Sequence, residues 1–268
     1  MLGAVAQATS SIEMMTYVTC PTMRYHPAVV AQKAATIQLL SEGRFTLGLG
    51  AGENLNEHVA GLDWPPADIR HEMLRDAVEI IRALFAGETV TYRGEYLQAE
   101  NAKLWDLPST PPPIGFAVSG SRSCQIAGEY ADAMIAVEPN EDLGRQFDEA
   151  GGAGKPRIGQ TGLSYDADES VARKRAHEQF RWFGGGWNVN AELPAPEHFA
   201  AASQRVREED VAEQIPCGDD VGAAVEAVKK FVDAGFTHVA VVQIGGDAQD
   251  QFFPWAENEL LPELRKLS

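Results

Sequence analysis

Basic residues are scarce in this 268-residue chain: 22 lysines and arginines face 39 acidic residues, for a formal charge of −17. Neutralising phosphates takes an excess of Lys and Arg, so neither nucleic acid nor an anionic membrane surface is an expected partner. Cysteine is also sparse. Cys20, Cys124 and Cys217 are odd in number and far apart, and they share no CxxC or His-linked spacing, so neither a disulfide framework nor a zinc site is expected. This pattern suits a reducing cytoplasm. No apolar run approaches the length of a membrane helix. The opening MLGAVAQATSSIEMM lacks the basic n-region of a signal peptide. What remains, at 44% hydrophobic and 23% charged residues, is the composition of a globular chain long enough for one large α/β domain. The acidic residues are scattered and read as solvated helix faces.

The stretch RFTLGLGAGENLNE, Arg44 to Glu57, concentrates the chemistry. A strand-like run ends in Gly50-Ala51-Gly52, a turn with almost no side chains. Glu53, Asn54 and Asn56 follow directly. Such a turn presents polar groups at the carboxyl end of a parallel sheet. An ordinary strand-to-helix connection with acidic capping residues would give the same pattern. A dinucleotide fingerprint does not fit, because the third glycine of GxGxxG would fall on Glu53.

Around this stretch the chain alternates between periods of 3.6 and 2. Helices are expected at Pro27 to Leu40, Ile69 to Ala86, Glu169 to Phe183, Val221 to Ala234 and Phe252 to Leu267, and one more opened by Ser119-Gly120-Ser121-Arg122-Ser123 and ending near Tyr130. Strands are expected at Ile12 to Thr19, Arg44 to Gly50, Ile114 to Val118, Ala133 to Val137, Arg157 to Tyr165 and Thr237 to Gln243. Thr89 to Ala99 reads as a hairpin, and Ala4 to Ser10 as the tail of a helix. Six strands interleaved with helices build a parallel sheet through right-handed crossovers.

Read as a block, TYVTCPTMRYHPAVVAQKAATIQLLSEGRFTLGLGAGENLNE resembles the luciferase-like oxidoreductases that use the deazaflavin coenzyme F420, in particular the subgroup of F420-dependent glucose-6-phosphate dehydrogenases. The TYRGEYLQA hairpin, the SGSRS turn and the closing DAGFTHVAVVQIGG carry the resemblance along the chain. It implies a (β/α)8 TIM barrel of the luciferase-like type, of which about six βα units are present and the first two are missing, as a single domain over residues 1–268. An insertion is expected at about residues 182–215, around WFGGGWNVN.

The resemblance also assigns roles. Tyr17-Val18 matches the site of a non-proline cis peptide behind the ring. Cys20 replaces a small hydroxyl residue that contacts the ring. Gly50 and Ala51 line the ring edge, Asn56 contacts it, and Glu53 corresponds to a catalytic acid. Ser119, Gly120 and Ser121 open a helix whose amides suit the coenzyme's phosphate, with Arg122 adding charge. The family's Asp-His pair and ring-covering Trp would lie upstream of Met1. The basic residues that hold a sugar phosphate fall on Asn140 and near Leu193 and Gln214, so glucose 6-phosphate is not the expected substrate. Phe183, Trp187 and Phe199 either wall an apolar pocket or pin the insertion. The expected activity is hydride exchange between F420 and a small organic substrate, in a cytoplasmic homodimer. The alternatives are an FMN-dependent luciferase-like monooxygenase and a shortened chain that binds cofactor without turning over.

Overall fold

The computed structural model describes residues 1–267. They fall into two compact units, one of residues 1–135 and 145–155, the other of residues 136–144 and 156–268.

The first unit opens with α1 (Leu2–Ala8) and the short strand β1 (Met14–Met15). Arg44 closes α1, donating to the carbonyls of Ala6 at 3.1 Å and Thr9 at 2.9 Å, since the last helical carbonyls have no intrahelical partner. In α2 (Pro27–Leu40) the proline occupies the first turn and His26 is the N-cap, its Nδ1 accepting from the Ala28 amide at 3.2 Å. Its Nε2 bonds the Gln98 carbonyl at 2.8 Å, so this histidine is committed to structure. Strand β2 (Phe45–Leu49) follows, then the single turn α3 (Asn54–Glu57) and the amphipathic α4 (Ala67–Phe85), which buries Leu74, Ala77, Val78, Ile80, Ile81, Leu84 and Phe85.

Strands β3 (Val90–Arg93) and β4 (Gln98–Ala102) form the expected hairpin. It is pinned to α4 by the buried Asp76, which accepts from the Tyr96 and Leu97 amides and the Tyr92 hydroxyl. β5 (Ile114–Ala117), α5 (Ser121–Tyr130) and β6 (Ala133–Ala136) are followed by α6 (Glu141–Phe147), and the unit boundaries fall after Ile135, Gly144 and Lys155. Helix α6 has no counterpart among the expected elements. Pro139 and an internal Gly144 hide it, and Asn140 starts it by accepting from the Asp142 amide at 2.9 Å. The parallel order in this unit is β1-β2-β5-β6, with Met14 opposite Phe45, Leu49 opposite Phe116 and Ala117 opposite Ile135. Leu47, Leu49, Ile114, Phe116, Met134 and Ile135 are almost fully buried, as in strands covered on both faces.

The second unit pairs β7 (Arg157–Leu163) in parallel with β8 (His238–Gln243). Helix α7 (Glu169–Phe180) precedes the segment where the insertion is expected, whose short helices are α8 (Trp187–Asn190), α9 (Pro196–Ala202) and α10 (Glu208–Ala212). Phe183 and Phe199 both meet Trp182 edge-on, with centroids 6.1 and 6.0 Å away, while Trp187 stays exposed. Helix α11 (Val221–Asp233) buries Ala224, Val228 and Phe231. The expected closing helix starts earlier and is interrupted: α12 (Gln249–Trp255) and α13 (Leu261–Leu264) flank a wider turn at Ala256–Leu260. Pro254 and Pro262 have no amide to donate, so the regular ladder cannot run through.

Candidate functional site

Parallel strands share a carboxyl end, and in the first unit β1, β2 and β5 are consecutive neighbours. Every residue the resemblance assigns a role therefore leaves one sheet edge within one unit. The exit of β1 differs from the straight strand expected at Ile12 to Thr19. Past Met15 the ladder is interrupted, and the Tyr17–Val18 peptide is cis, where the resemblance put it. The Thr16 hydroxyl substitutes for the missing ladder bonds, donating to the Gly48 carbonyl at 2.9 Å and accepting from its amide at 3.0 Å. Pairing resumes where the Thr19 amide meets the Gly48 carbonyl and the Gly50 amide meets Thr19. A side chain on Gly48 would sit 2.0 Å from the Thr16 carbonyl oxygen, and one on Gly50 2.7 Å from Val18 Cγ2. Both glycines are demanded by this close approach of β1, which sequence spacing does not reveal. Burial pushes the Tyr17 phenol up, so it stays neutral.

The turn after β2 packs on what lies behind it. Gly52 has φ +88°, and a Cβ there would lie 2.7 Å from Cys20 Sγ, 3.3 Å from Glu57 Cγ and 3.4 Å from Trp64 Cη2. Cys20 thus lies against the turn, buried, with its thiol 3.1 Å from the Thr22 hydroxyl, and burial keeps the thiol protonated. Trp64, not singled out by sequence pattern, lies against the same turn and carries the Arg70 guanidinium over its ring at 4.1 Å. Glu53 is the half-buried residue before α3. Burial first, and the charge of Glu57 second, push its carboxyl up. Asn56 Nδ2 donates to Glu53 Oε2 at 3.2 Å. Ala51 is half-buried beside it.

The exit of β5 is the other polar feature. Gly120 precedes α5 in an extended conformation, and nothing stands within 4 Å of where its Cβ would be. No side chain caps the helix among the described residues. Ser123, missed by sequence reasoning, shapes the turn: its hydroxyl accepts from the Ser119 and Gly120 amides and donates to the Gly120 carbonyl at 2.8 Å. Its place three residues after the N-cap is the available signal. The first-turn amides of Ser121 and Arg122 have no intrahelical acceptor, as at the start of any α-helix. Arg122 is held by Glu72 and Gln125, so its charge is largely spent. His58 bonds the Asn54 carbonyl, and burial lowers His71, keeping it neutral.

Residues 1–238 match the model of the luciferase-like monooxygenase family. The chain belongs to that family. It is 32% identical to the F420-dependent glucose-6-phosphate dehydrogenase of Nakamurella multipartita, over 99% of this chain and 81% of the relative. It is 35% identical to the F420-dependent hydroxymycolic acid dehydrogenase of Mycobacterium tuberculosis, over 98% of this chain and 74% of the relative. Among solved structures, an F420-dependent secondary alcohol dehydrogenase in complex with an F420-acetone adduct superposes with a TM-score of 0.88 at 27% identity, covering 98% of this chain and 83% of that one. The fold of this luciferase-like chain is accordingly the α/β barrel type expected above. Its six parallel strands correspond to the six βα units counted in the sequence.

Proposed function

We propose that the chain is an F420-dependent oxidoreductase acting on a small organic alcohol or carbonyl compound. The observation that carries this reading is the convergence of Glu53, the glycine turn and the open N-terminus of α5 on neighbouring strand ends of one unit. The residues fit a flat, phosphate-bearing coenzyme. Gly50 and Ala51 offer backbone without bulky side chains, and the space beside Gly120 would be filled by any Cβ. The amides of Ser121 and Arg122 would hold the phosphate, while Tyr17, Val18, Cys20 and Asn56 would border the ring. Bound there, the deazaflavin supplies two-electron hydride chemistry. Glu53, whose carboxyl is pushed up by burial and then by Glu57, would donate a proton to an oxygen of the substrate, or take it back in the reverse direction. Trp64 and the buried Cys20 keep water from the back of the turn. Asn140, which the resemblance aligns with a cation that holds a sugar phosphate, instead accepts from the Asp142 amide at the start of α6, and this supports a substrate other than glucose 6-phosphate.

Three free cysteines support a cytoplasmic location, and assembly as a homodimer is carried over from the family resemblance. Among the described residues no helix is long and apolar enough to cross a membrane. A fluorescence titration with F420, run beside one with FMN, tests the cofactor. Selective binding of F420 is expected. Selective FMN binding with oxygen uptake would instead make the chain a flavin monooxygenase, and binding of neither would remove the assigned site.

A further inference from the structure

Glu57 belongs to the same turn of chain as Glu53 but has no role in the chemistry proposed for that acid. Its side chain is only 1% exposed, a rare state for a carboxylate. Both oxygens face Arg24: Oε2 accepts from the Arg24 amide at 3.0 Å, and Oε1 lies 3.5 Å from the guanidinium, which is itself 40% exposed and reaches over the Tyr25 ring. The stem of Glu57 packs beneath Gly52, 3.3 Å from where a Cβ would be. A buried carboxylate with one partly solvated cation costs stability, and a like charge four residues from Glu53 adds repulsion on a helix. Neither feature is needed to form one turn of helix. An apolar residue at 57 would fill the same volume without these costs.

We propose that Glu57 is a positioning residue: it ties residues 20–25 to the glycine turn and, one helical turn beyond Glu53, places a carboxylate that sets the field in which that acid works. The inference rests on the reading of Glu53 as the acid. The groups facing Glu53 leave Glu57 as the effective charge. On its own helix stand Asn56 and Glu57. Residues 20–25 reach the turn through the Cys20 thiol, against Gly52, and through Arg24, which Glu57 engages. Arg70 of α4 lies behind the Trp64 ring. The direction of Glu53's displacement, up from burial and then from Glu57, agrees with this geometry.

The test is a pH titration of the full chain labelled with 13C at the glutamate carboxyls, with Glu53→Gln assigning the Glu53 resonance. In Glu57→Gln, which keeps an acceptor for the Arg24 amide but removes the charge, the Glu53 midpoint is expected to move down toward the ordinary glutamate value. The alkaline limb of turnover should move down with it. In Glu57→Asp, which keeps the charge, the midpoint should stay near wild type. An unmoved midpoint in Glu57→Gln, or an equal fall in Glu57→Asp, overturns the proposal. Where the single change leaves the chain unfolded, Arg24→Gln with Glu57→Gln replaces the ion pair by an amide pair of like volume and reads the same midpoint. Failure of the cofactor reading shows separately, as a wild-type chain that binds no F420, because the titration is run without cofactor.

Discussion

The strand ends of the two units spend their polar groups differently. In the second unit most are committed to one another, though the buried Gln243 Nε2 has no partner among the described residues. Ser164 Oγ donates to the Ala172 carbonyl, the Tyr165 amide donates to Gln243, and the buried Arg175 donates to the Tyr165 carbonyl at 2.9 Å and to Asp166 at 2.8 Å while standing 3.6 Å from Asp247. Even the glycine there is filled from inside, since a Cβ on Gly245 would lie 2.2 Å from Arg175 Cδ. In the first unit the strand ends hold a half-buried acid bonded to one amide group, a helix without a side-chain cap, and a glycine facing open space. Committed groups hold a fold together, and uncommitted ones at a strand end are what a ligand can use. The contrast predicts that changes in the first unit cost function before stability, and changes in the second the reverse.

The largest effect should come from Glu53→Gln. Removing a general acid lowers turnover by ~10²–10⁴-fold, while F420 affinity stays close to wild type. Stability at neutral pH should not fall. A carboxyl raised in the folded state binds its proton more tightly there, so stability declines as pH rises from the ordinary glutamate value through the raised one, and Gln removes that decline. Wild-type turnover should drop over the same rise, as the acid form is lost. Turnover in Glu53→Gln equal to wild type would take the acid role away from this residue.

Arg175→Met is the counterpart in the second unit. It leaves Asp166 and the Tyr165 carbonyl without their buried partner, and breaking such a pair costs about 3–5 kcal/mol. Denaturant unfolding should show this loss, with F420 affinity of the folded variant unchanged. The Arg175 hydrogen bond and charge hold the Asp166 carboxyl down, so its contribution is present above the ordinary aspartate value and disappears on acidification through the lowered one. The variant should lack that acid-dependent component. A stable variant with weakened cofactor binding would reverse the comparison.

These two residues also mark what the sequence makes legible. Glu53 is readable because a strand, a glycine turn and a polar run are contiguous, and the α5 turn for the same reason. Residues whose purpose depends on a distant partner are not. Gly48 reads as a glycine within an ordinary strand, yet it is required by the Thr16 carbonyl, 32 positions earlier. Gly144 argues locally against α6, but a Cβ there would strike the Arg157 guanidinium at 2.4 Å. Trp64 has no periodic neighbour to mark it, and only the folded turn brings it to Gly52. The six-strand alternation was legible because burial of a parallel sheet imposes long apolar runs. The early end of β1 was not, because a side chain takes over from the ladder at Thr16.

The smallest effect expected is the one that isolates the anion turn. In Gly120→Ala the backbone is extended, a conformation any residue adopts, and the added methyl meets no atom of the chain within 4 Å. The cost to folding is then limited to the poorer helix-starting tendency of alanine, about 1 kcal/mol or less. A phosphate resting on the Ser121 and Arg122 amides would meet that methyl directly, and displacing it from one of those amides weakens F420 binding by about tenfold, or ~1.4 kcal/mol. Titrating the variant with F420 and unfolding it in urea gives both numbers from one preparation. Affinity falling further than stability assigns the open space to the ligand, because the chain itself makes no use of the missing side chain. Equal affinity in Gly120→Ala and wild type would move the phosphate off this helix and leave the first unit's open strand end without its anion.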